Sequence, residues 1–70
     1  MKISVVIPVY NEVDSLRELH HQLTQSLSPF ESYEILFIDD GSSDGSVDLI
    51  KRMSETDDHI NLIQFHRNYG

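Results

Sequence analysis

The 70-residue sequence has no cysteine and no tryptophan, only three glycines and two prolines, and five basic residues against twelve acidic ones, giving a formal charge of −7. Without cysteine there is neither a disulfide framework nor a thiolate zinc site, which excludes a small secreted domain held by cross-links. A reducing cytoplasm fits. The few basic residues are scattered, whereas neutralising a nucleic-acid backbone needs clustered Lys and Arg, so no nucleic-acid partner is expected. No apolar run approaches the roughly 20 residues of a membrane span. Met1-Lys2-Ile3-Ser4 opens straight into a strand-like run and lacks a signal-peptide layout. A soluble segment is expected.

What is present is globular in character. Hydrophobic residues make up 39% of the chain, and many fall in short, strand-like runs. A chain this short buries only about 60% of its unfolded surface, which raises the question of whether the domain is complete.

Ile3-Ser4-Val5-Val6-Ile7 is β-branched at most positions, and Pro8 removes a backbone donor, so a buried strand is expected over about 3–8. Leu16, Leu19, Leu23 and Leu27 then recur at spacings of three and four, the stripe of an amphipathic helix over about 12–27. Asn11 is the expected N-cap, with Glu12 and Asp14 in the first turn, and Ser28-Pro29 stops the helix. A second strand is expected over 33–39, and Val47, Ile50 and Met53 mark a second helix over about 44–55, capped by Ser43 or Asp44. Glu55 to Asp58 reads as a polar connection, and a third strand is expected over 60–66. The order β-α-β-α-β, with no hairpin signal, predicts a Rossmann-like α/β parallel sheet with right-handed crossovers. Two helices leave one face or edge of such a sheet poorly covered. With the chain stopping just after a strand, residues 1–70 are expected to be the first part of a larger domain.

Open parallel sheets bind ligands beyond the carboxyl ends of their strands. That rule nominates three segments: Pro8-Val9-Tyr10-Asn11-Glu12, Asp39-Asp40-Gly41-Ser42 and His66-Arg67-Asn68-Tyr69-Gly70. Adjacent strand residues face opposite ways, so one of Asp39 and Asp40 can tie the loop together while the other faces the crevice. Alternatively both are solvated turn formers, and Asp44 is more simply a cap. Neither G-x-G-x-x-G nor G-x-x-x-x-G-K-[ST] occurs, so phosphates would not be cradled by a glycine-rich loop. Carboxylates here would recognise a base imide, ribose hydroxyls or a metal holding the phosphates, chemistry that suits a sugar nucleotide. Tyr10 can stack on a base or cover the sheet end. His20 and His21 project about 100° apart on a helix, against joint metal ligation. His59 reads as a turn residue, and His66, beside Arg67, either packs at the surface or touches a ligand.

Together these segments resemble the N-terminal part of family 2 glycosyltransferases of GT-A fold, most closely the polyprenyl-phosphate and dolichyl-phosphate sugar transferases. The matching stretches are Val5 to Glu12, Tyr33 to Ser46 and Arg67 to Gly70. The resemblance implies a UDP- or GDP-sugar donor whose nucleoside is held by Pro8, Val9, Tyr10, Glu12, Asp39 and Asp40, with the division of roles between the two acids left open. It implies hexose transfer to a lipid phosphate at the cytoplasmic face of a membrane, and a divalent metal, Mg2+ or Mn2+, on the donor diphosphate. Arg67 would lie near a phosphate. The family's D-x-D metal motif, catalytic base and acceptor groups would lie further along, so residues 1–70 alone are expected to bind at most part of a nucleotide and to be inactive. A homo-oligomer is compatible with this picture. Two alternatives remain: a non-catalytic nucleotide-binding or interaction module on the same fold, and a receiver-like signalling domain. The latter would place its acid pair after the first strand, which here ends in Pro8-Val9-Tyr10.

Overall fold

The computed structural model describes residues 2–65. His66 and Arg67, nominated above, lie outside them. The elements run β1 (Ile3–Val9), α1 (Leu16–Leu27), β2 (Tyr33–Asp39), α2 (Ser46–Thr56) and β3 (Ile60–Gln64). All pairings are parallel, in the spatial order β1-β2-β3. That order has β2 central, as in one half of a dinucleotide-type sheet, whereas a receiver-like sheet places its first strand between the second and third. The topology therefore removes the receiver alternative.

Alternation along the strands explains how the layers form. Val9, Ile35, Phe37 and Ile60 are buried on one face, where Leu16, Leu27, Ile50 and Met53 of the two helices meet them. Two right-handed crossovers advancing in the same direction put both helices on that side. Val6, Ile63 and Phe65 are at least 43% exposed, and the register groups Val6 and Ile63 with Leu36 and Ile38 on the opposite face. No helix of the described residues covers that face. At its far end the surface turns polar: Ser4 Oγ donates to Glu34 (2.7 Å) and Asn61 Nδ2 donates to the same carboxylate (3.0 Å). The Ser4 hydroxyl and the Lys2 charge hold Glu34 below the usual carboxylate range.

Four boundaries differ from expectation. Pro8 does not end β1; it sits inside the strand. Val9 carbonyl accepts from Asp40 N–H, so odd-numbered residues face β2 while Pro8, lacking a donor, points away from the ladder. Helix α1 begins at Leu16, and its cap is Ser15, not Asn11. Asn11 is instead in the left-handed region with φ 50°, and its side chain is engaged elsewhere. Helix α2 begins at Ser46 behind Gly45, whose φ of 91° makes it the hinge of the entry turn; Asp44 caps from one residue further out. β3 is assigned as far as Gln64, although Phe65 N–H still bonds the Asp39 carbonyl.

Candidate functional site

The carboxyl ends of β1 and β2 are stitched into one platform. Asn11 N–H donates to Ser42 Oγ (2.9 Å), Glu12 N–H to Ser46 Oγ (3.0 Å) and Val13 N–H to Asp44 Oδ2 (3.1 Å), while Ser43 N–H donates back to Asn11 Oδ1 (2.9 Å). Consecutive amides of the first loop are thus spent on side chains of the second. This is why the segment after Tyr10 cannot start a helix at Glu12, and why a residue tolerant of positive φ, asparagine, stands at the bend. Ser46, fully buried, is the pivot: its hydroxyl accepts from Glu12 N–H and donates to Asp44 Oδ1 (2.5 Å). The Ser46 bond, against a smaller opposing effect of burial, keeps the Asp44 carboxyl below the usual range, with the Val13 amide adding to it.

The acid pair divides as geometry demands. Asp39 is only 2% exposed, and its Oδ2 accepts from Gly41 N–H and Ser42 N–H, both at 3.1 Å, bracing the turn. Its Oδ1 is buried without a hydrogen-bond partner. Asp40 is half-buried and follows the last residue of β2. Gly41, with φ 84°, makes the reversal that brings the amides back onto Asp39. Beside the Asp39 turn opens a crevice of about 340 Å³, whose lining includes Ser42, Ser43, Asp48 and Gln64.

Of the nominated residues, Tyr10 stands 57% exposed on the rim and Val9 is buried in the core, so Val9 presents only backbone there. Pro8 and Glu12 are exposed, and the Glu12 carboxylate accepts from Ser15 Oγ at 3.3 Å. Among the described residues, no three His, Cys, Asp or Glu side chains come together to hold a metal ion.

One cluster went unread in the sequence. At the opposite end of the sheet, Asp57 accepts from His20 Nε2 and His59 Nδ1, each at 2.7 Å, and from His59 N–H. The His59 ring stacks on Tyr33 with centroids 3.8 Å apart. Burial raises the Asp57 pKa, but the donated hydrogen bonds outweigh it and leave the carboxyl below the usual range. Burial first, and the Asp57 charge second, push the Tyr33 hydroxyl up. The clasp joins α1, the end of α2 and the start of β3. His20 sits three to four residues from the Leu16 and Leu23 stripe, a spacing that could have flagged it as facing a partner.

The model of the glycosyl transferase family 2 matches residues 4–70. The undecaprenyl-phosphate 4-deoxy-4-formamido-L-arabinose transferase of Salmonella choleraesuis (strain SC-B67) is 55% identical over 73 residues, covering 99% of this chain. Its counterpart in Salmonella paratyphi B is 52% identical over 71 residues. The chain spans 22% of the length of these relatives. A mannosyltransferase from Pyrobaculum calidifontis, solved in complex with GDP-Man and Mn2+, superposes with a TM-score of 0.81 at 24% identity, over 97% of this chain and 20% of its own.

Proposed function

This chain belongs to glycosyl transferase family 2, and from that premise we propose that residues 1–70 are the N-terminal, nucleotide-binding part of a catalytic domain. The whole protein would transfer a sugar from a UDP- or GDP-sugar to a polyprenyl or dolichyl phosphate at the cytoplasmic face of a membrane. The observation that carries the proposal is the stitched platform. Four inter-loop hydrogen bonds fix the carboxyl ends of β1 and β2 as a single rigid rim, where parallel sheets bind nucleotides. The rim presents Tyr10, Glu12 and Asp40. Tyr10 would stack on the base, and Asp40 would accept from the base or ribose, because Asp39 is committed to its own turn. Pro8, Val9 and Asp39 would shape the rim from behind. Arg67 would approach a phosphate, and a divalent metal on the diphosphate would be held by residues outside those described.

The names of the relatives support a polyprenyl-phosphate acceptor, and the solved neighbour's GDP-Man and Mn2+ support a nucleotide sugar with a metal. Among the described residues, no helix is long and apolar enough to cross a membrane. The test is a transfer assay on the whole protein with undecaprenyl phosphate and labelled UDP- and GDP-sugars. Metal-dependent appearance of label in the lipid fraction is expected. Absence of transfer from either donor class, with the protein folded, would refute the proposed reaction.

A further inference from the structure

We propose that Asn11 is the positioning residue of the rim, setting Tyr10 against Asp40 and so fixing where a nucleoside sits; this rests on the nucleotide reading given above. Tyr10 and Asp40 belong to a small closed ring. At its inner end Asp40 N–H donates to the Val9 carbonyl (3.0 Å), and at its outer end Asn11 N–H donates to Ser42 Oγ (2.9 Å). The two arms, residues 9–11 and 40–42, are thus tied at both ends, with Tyr10 in the middle of one. Asn11 Oδ1 adds a second tie at the outer end, accepting from Ser43 N–H (2.9 Å).

The ring is anchored in the core. Ser42 N–H donates to Oδ2 of the buried Asp39 at 3.1 Å, so a continuous line of bonds runs from Asp39 through Ser42 to Asn11, the neighbour of Tyr10. Tyr10 is 57% exposed; burial does little to hold it, and the residues on either side set its direction. The outer tie asks for two properties in one residue, a backbone at φ 50° and a side-chain acceptor. Glycine tolerates the conformation but has no acceptor. Aspartate has both, but adds a charge to a rim that already carries Glu12 and Asp40 and would face a diphosphate. Asparagine alone supplies the acceptor without the charge. Asn11→Gly therefore deletes a single bond. The main-chain tie to Ser42 survives it, as do those of Glu12 N–H to Ser46 and Val13 N–H to Asp44 further along.

The test is calorimetric titration of UDP and GDP, each with Mn2+, into the whole protein, Asn11→Gly and Asn11→Asp, at raised ionic strength to screen the charge that aspartate adds. Asn11→Gly should bind the same nucleotide about three- to tenfold more weakly at unchanged stoichiometry, as loss of one hydrogen bond does. Asn11→Asp keeps the acceptor and should return the Kd to within about twofold of the unaltered protein. A purely structural role would lower the Tm and the fraction of competent molecules while leaving the Kd alone, and that result overturns the proposal. An Asn11→Asp variant as weak as Asn11→Gly overturns it too. If the unaltered protein binds neither nucleotide, the nucleotide reading falls and the role of Asn11 with it. If it binds and Asn11→Gly matches its Kd, the role of Asn11 falls alone.

Discussion

Ser46 shows how much one hydroxyl can organise. It satisfies Glu12 N–H from the other loop and holds Asp44 in place, while its own side chain is fully buried. Ser46→Ala leaves a partly buried amide without its acceptor and should cost about 1–3 kcal/mol in chemical denaturation; a change below a few tenths would mean the bridge carries no stability. Tyr10 makes the opposite kind of contribution, standing 57% exposed on the rim. Tyr10→Ala should weaken nucleotide binding by about 1–3 kcal/mol, as loss of a base-stacking ring does, with little change in Tm. A fall in Tm without a fall in affinity would make Tyr10 a cover for the sheet end. These two residues differ in legibility. An exposed aromatic after a strand can be nominated from sequence, but nothing in Asp44-Gly45-Ser46 announces that its serine reaches Glu12, 34 positions away.

At the scale of elements, helix stripes and strand runs were readable because burial imposes a period of 3.6 or 2 on the residues. Leu16 and Leu27 in α1, and Ile50 and Met53 in α2, face the core as their spacing requires. Helix starts were misjudged because capping depends on partners from another element. Asn11 was spent on Ser43 instead of its own helix, and Gly45 took the N-cap position through its backbone alone. Space is open around Gly45, with nothing within 4 Å of an added Cβ, so Gly45→Ala isolates the cost of the left-handed conformation. That cost should be about 1–2 kcal/mol; an unchanged denaturation midpoint would show that the turn readily relaxes. The His20–Asp57–His59 clasp is hidden in the sequence for the same reason as the caps, since His20 and Asp57 lie 37 residues apart.

The depressed carboxyls also set how the folded molecule as a whole responds to acid. In the folded chain the Asp57, Asp44 and Glu34 carboxyls are all held below the usual carboxylate range by the hydrogen bonds they accept. A lowered folded-state pKa stabilises the fold above the unfolded value, and that contribution is lost as pH falls through the folded one. Stability from these three groups should therefore hold down to about pH 4.5 and decline below it, and Asp57→Asn should flatten the decline. A Tm that falls as steeply in Asp57→Asn as in the unaltered protein would remove the clasp from acid sensitivity.

Fold class followed from the β-α-β-α-β pattern, and the rim from the rule that ligands gather at strand carboxyl ends, whereas the spatial order β1-β2-β3 did not, because the same pattern also builds sheets with the first strand central. The chain spans 22% of its transferase relatives, and residues 1–70 alone should show no sugar transfer. The most direct test of the nucleotide rim is calorimetric titration of UDP and GDP, with Mg2+ or Mn2+, into the whole protein and its Asp40→Ala variant. One nucleotide should bind with metal dependence, and the variant should lose about 1.5–3 kcal/mol of affinity with the loss of a charge-assisted hydrogen bond. Binding of neither nucleotide, or an affinity unchanged by Asp40→Ala, would contradict the site.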